Sequence, residues 1–107
     1  MSDYSKNIFV SYTTRNENVD KKTLEKIYKI FSKYGDVYID LLHNDDLLHP
    51  QEKVIKKLEI ADVLIVVNTK DIDKSEWVKF EIKKSKSRNI EIKYIDIDNI
   101  LLENFDL

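Results

Sequence analysis

The chain has 107 residues, 42% of them hydrophobic and 36% charged, which fits one domain around a modest core. A net charge of −2 excludes a broad basic field for nucleic acid, and the absence of cysteine excludes disulfide and thiolate chemistry. No apolar run approaches the ~20 residues of a membrane span, and "MSDYSKN" lacks a signal-peptide pattern, so a single cytoplasmic domain over 1–107 is expected.

"IFVSY" (8–12) is a short apolar run before a polar turn, which predicts a buried strand. Residues 20–34 place Leu24, Ile27, Tyr28, Phe31 and Tyr34 at helical spacing, with Gly35 where a left-handed cap would close the helix. "DVYID" (36–40) predicts a second strand, followed by the polar stretch "LLHNDDLLH" (41–49). Pro50 suits the first turn of a helix that turns Val54, Ile55, Leu58 and Ala61 inward. "DVLIVVN" (62–68) holds five consecutive aliphatics, as a strand covered on both faces does. A helix around Trp77 comes next, and "NIEIKYIDI" (89–97) alternates apolar and charged residues like a half-exposed edge strand. The tail "ILLENFDL" (100–107) reads as a short closing helix.

Strands alternating with helices imply an open α/β fold with a parallel sheet and helices on both faces. Right-handed crossovers favour strand order 2-1-3-4, the flavodoxin-like winding without a fifth strand. In such sheets ligands bind beyond the carboxyl ends of the strands. Ser11, Tyr12, Thr13 and Thr14 leave the first strand there, with Arg15 just beyond; Asp40 ends the second and Asn68 the third.

The helix through "SEWVKFEI" (75–82) adds a carboxylate to that rim. With Trp77 at zero, Glu81 falls near ~40°, Val78 near ~100° and Ile82 near ~140°, so Glu81 lies within the apolar arc. Lys79, Lys83 and Lys86 fall on the far side. Ser11, Asp40, Asn68 and Glu81 are therefore expected to line one cleft. Trp77 is expected in the core, and Ser75 is read as the cap of its helix. Geometry alone leaves Glu81 free to cap a loop or pair with Arg15 or a lysine. Tyr12 can stack on a base or fill space, and Arg15 can hold a phosphate or stand in solvent. His43 and His49, near Asp40, Asp45 and Asp46, match no standard metal-ligand spacing, so no metal site is expected.

Four segments carry a resemblance to Toll/interleukin-receptor (TIR) domains, in the small bacterial TIR-like group. "IFVSYTTRNE" (8–17) resembles the family's first strand and Ser-Tyr signature, and "VYID" (37–40) its second strand with a terminal Asp. "IKKLEIADVLIVVNTKDIDKSEWVKFEI" (55–82) resembles the second helix, third strand and Ser-x-Trp-x-x-x-Glu helix start; "RNIEIKYID" (88–96) resembles the fourth strand. The spacing of Ser75, Trp77 and Glu81 is the most specific element. The resemblance implies an NAD glycohydrolase or cyclase of bacterial defence or signalling, with Glu81 catalytic and NAD or a related nucleotide as substrate rather than cofactor. It implies Ser11, Tyr12, Thr13, Arg15, Asp40, Asn68 and Trp77 around that substrate, and association of copies through TIR-like contacts. It equally admits a non-catalytic self-assembly module. The chain departs from the family in the compact, glycine-free "LLHNDDLLHP" (41–50) and in the missing fifth strand.

Overall fold

The computed structural model describes residues 6–13, 20–43, 48, 50–69 and 72–96. Thr14, Arg15, Asp45, Asp46, His49 and the tail from 97 onward lie outside them, so the expectations placed on these residues do too. Strand β1 (Lys6–Ser11) leads to α1 (Lys21–Phe31), β2 (Gly35–Tyr38), the short α2 (Asp40–His43) and α3 (Pro50–Ile60). Then come β3 (Val63–Asn68), a 3-10 turn (Ile72–Lys74), α4 (Glu76–Ser87) and β4 (Glu91–Asp96). The four strands form one all-parallel sheet in the order β2-β1-β3-β4, the order expected from the crossover rule.

The aliphatic run of β3 explains its central place. Val63, Ile65 and Val67 point to one face, where they join Ile8, Val10 and the α1 residues Leu24, Ile27 and Phe31. Leu64 and Val66 point to the other, where they join Phe9, Val54 and Leu58 of α3 and Val78 of α4. Burial of both faces removes the polar alternation that an exposed strand would show. β4 keeps that alternation: Ile95 is buried, while its neighbours Tyr94 and Asp96 are exposed.

Two helix ends fix the turns that deliver the site. Ser75 caps α4, its hydroxyl accepting from the Val78 amide at 3.2 Å, as the sequence suggested. At the other end Asn89 takes φ 58, and the amides of Asn89 and Ile90 bond the carbonyls of Lys86 and Ser85. This paired closure turns the chain into β4, with Ile90 packed on the core.

Gly35 is not the left-handed cap expected of it. α1 ends at Ser32 in right-handed geometry, and no glycine has positive φ. Gly35 instead opens β2 in register with Lys6, so close that a Cβ would collide with the Lys6 carbonyl. Close backbone approach, not a turn, demands glycine there. Gly35→Ala is accordingly expected to cost about 1–3 kcal/mol, because backbone must shift to admit the methyl group. An unchanged urea midpoint would contradict this.

Candidate functional site

Three elements bring the site together at the carboxyl edge of the sheet. Along β1, alternation places Phe9 and Ser11 on the face that α4 covers. Along α4, Val78, Glu81 and Ser85 form the buried stripe. Ser11 and Glu81 are 70 residues apart, yet the Ser11 hydroxyl donates to Glu81 Oε1 at 2.6 Å, and both residues are buried. The angular reading of α4 thus places the carboxylate correctly: it occupies a core position of the helix.

Glu81 forms part of the wall of a cleft of about 350 Å³, with Tyr12, Thr13, Asp40, Ser75 and Trp77. Burial raises its pKa from 4.5 to about 7, and the charge of Asp40 pushes in the same direction. The Ser11 hydroxyl and a hydrogen bond with Trp77 oppose this by favouring the ionised form. Among the described residues, no lysine or arginine contributes to the shift. Glu81 is thus a carboxyl held in a dry wall with no cation beside it among the described residues, poised to change charge near neutral pH.

Asp40 lines this cleft as the first residue of α2, two positions past the last residue of the strand it was expected to end, and accepts a hydrogen bond from the Tyr38 phenol at 3.0 Å. Burial and the Asp40 charge raise the Tyr38 pKa, so the phenol remains a donor. The sequence reading overlooked Tyr38.

Three expectations need correction. Ser11 is not among the residues that line the cleft; it is buried and reaches the site through its hydrogen bond to Glu81. Asn68 does not share this cleft. It lines a separate groove with Val66, Ile72, Val78, Ile82 and Tyr94 on the other flank of α4, and its amide donates to Asp96 at 3.1 Å. The strand end identifies the rim but not the side, and α4 crosses the rim between them. Trp77 is not a core residue either. It is 38% exposed and stacks on the equally exposed Phe80 at 5.2 Å between ring centroids. The buried stripe of α4 is centred between Val78 and Ser85, which leaves Trp77 at its margin, against the cleft. Trp77→Ala should therefore cost only about 1–2 kcal/mol, the value of a partly buried ring and its stacking partner. A loss of ~4 kcal/mol in denaturant melts would mean that the indole is packed like a core residue.

Comparison with protein-family models, curated proteins and solved structures found no match. Among the described residues, no group of three or more His, Cys, Asp or Glu could hold a metal ion. No helix among them is long and apolar enough to cross a membrane.

Proposed function

We propose that this chain is a TIR-like domain whose cleft binds NAD or a related nicotinamide nucleotide and cleaves the nicotinamide–ribose bond. The observation that carries the proposal is Glu81: a buried carboxyl, without a cation among the described residues, aimed into a cleft and held by Ser11 at 2.6 Å. Core positions on helices rarely hold carboxylates, because burial favours the neutral form and costs stability when charge is required. A function that needs charge at this point gives that cost a reason.

Cleavage breaks the bond between ribose C1′ and the pyridinium nitrogen. The bonding electron pair leaves with nicotinamide, which departs neutral, and positive charge spreads over the ribose. Glu81, ionised, sits in a low-dielectric wall where its attraction for that charge exceeds its value in water. Water then adds to C1′ and gives its proton to the Glu81 carboxylate. No general acid is needed, since the leaving group starts cationic. The cleft of about 350 Å³ is at the small end for ligand pockets and suits the nicotinamide–ribose half, leaving the adenylate half outside. Tyr12 and Trp77 offer ring faces, and Asp40 an acceptor for sugar hydroxyls.

The test is to incubate concentrated protein with NAD and follow free nicotinamide. One observation favours a second reading, a self-assembly module. Trp77 and Phe80 form a stacked, half-exposed aromatic pair beside the cleft, and such pairs mark contact surfaces. Absence of nicotinamide release together with assembly that Phe80→Ala disrupts would select that reading.

A further inference from the structure

The described walls of the Glu81 cleft carry charge of one sign. Asp40 of α2 and Glu81 of α4 both line it. The two groups are within electrical reach of each other, since the charge of Asp40 disfavours ionisation of Glu81. A positive charge between them is attracted by both and relieves that repulsion. Attraction of this kind needs no vacant oxygen. It persists while Asp40 accepts from the Tyr38 phenol and Glu81 from the Ser11 hydroxyl.

Trp77 adds an aromatic wall. Its ring is held in two ways, stacked on Phe80 at 5.2 Å and hydrogen-bonded to the Glu81 carboxyl. An indole fixed before a ligand arrives loses little freedom on binding. Tyr12 brings a second ring to the lining. Aromatic rings attract weakly hydrated organic cations. A hard metal ion instead demands a shell of about six oxygens or more. Among the described residues, no group of three or more His, Cys, Asp or Glu could begin such a shell.

We infer that the cleft selects its ligand by charge, holding a flat aromatic cation of the N-alkylpyridinium class and discriminating against neutral and anionic rings of the same shape. The choice of ring rests on the reading of this cleft as the site of nicotinamide–ribose cleavage, whereas the preference for positive charge rests on its walls. A volume of about 350 Å³ accommodates one such ring with its substituents. Cleavage turns the pyridinium into neutral nicotinamide, so the walls that hold the substrate ring loosen their hold on the product.

The experiment titrates the full chain at pH 8 with three probes of nearly one shape: 1-methylnicotinamide, a cation; nicotinamide, neutral; and nicotinate, an anion. The chain has one tryptophan, so its single indole N–H resonance in NMR reports on this wall of the cleft. The cation is expected to bind about tenfold or more tightly than nicotinamide, and nicotinate more weakly than either. Added salt should weaken the cation and leave nicotinamide unchanged. Asp40→Asn should weaken the cation about fivefold and also leave nicotinamide unchanged, a split that a damaged fold does not produce. Equal affinity for the cation and nicotinamide, no shift of the indole resonance with 1-methylnicotinamide, or equal losses for both probes in Asp40→Asn would overturn the inference. Nicotinamide release from NAD is measured separately. Release without preference for the cation overturns the inference and leaves the proposed function standing. Preference for the cation without release does the reverse.

Discussion

Glu81→Gln should raise stability at pH 8 by about 3 kcal/mol and leave it close to wild type below pH 4.5. The folded protein holds the Glu81 pKa at about 7, against 4.5 for an ordinary glutamate, chiefly through burial. Between those two values the unfolded chain releases a proton that the folded chain keeps. Wild-type stability from this group is therefore complete below 4.5 and lost as pH rises to about 7. Each pH unit of that gap is worth about 1.4 kcal/mol. Glutamine has no proton to lose, keeps the shape, and retains an oxygen to accept from Ser11. Urea melts of both proteins at several pH values give the difference directly, with the carboxyl groups that do not interact with Glu81 cancelling. A difference that stays flat with pH would show that Glu81 ionises normally and is not held in a dry wall.

This sensitivity bears on what the sequence could reveal. Five aliphatics in a row at residues 63–67 indicated a central strand, since only a strand covered on both faces uses that pattern. Alternation of strand and helix, with the handedness of crossovers, then sufficed for the strand order. Glu81 was legible because a helix wheel converts spacing into direction. Trp77 was misplaced by the same wheel, because a place on the apolar arc with Val78 and Ile82 was taken to mean burial. The centre lies nearer Val78 and Ser85, small residues whose burial the sheet decides.

The remaining misses share a cause. A strand end shows which rim a residue occupies, but which side of α4 it reaches depends on where that helix crosses. Asn68 went to the wrong side for this reason. Gly35 shows the same limit at the level of backbone. Glycine is compatible with a left-handed cap and with close approach of two strands, and only the register with Lys6 distinguishes them.

The largest expected effect is on catalysis. Under the proposed reading, wild-type protein releases nicotinamide from NAD, and Glu81→Gln lowers kcat/KM by a hundredfold or more, on the order of 3–4 kcal/mol of transition-state stabilisation. A neutral amide cannot match a cation developing on the ribose, although it fills the same space. Because the working form is the carboxylate, wild-type kcat/KM should rise with pH through the Glu81 pKa of about 7 and level off above it. Ser11→Ala separates position from charge. The Ser11 hydroxyl favours ionised Glu81, so its removal should move the rising limb to higher pH while activity persists on the plateau. A purely structural Ser11 would lower activity evenly at every pH. Stability helps to interpret the comparison: if Glu81→Gln is more stable at pH 8 yet inactive, the loss cannot come from unfolding. Equal nicotinamide release by wild type and Glu81→Gln, or none from either at high concentration, would remove Glu81 from catalysis. The buried carboxyl would then require another explanation, and the exposed Trp77–Phe80 pair would make self-assembly the better reading.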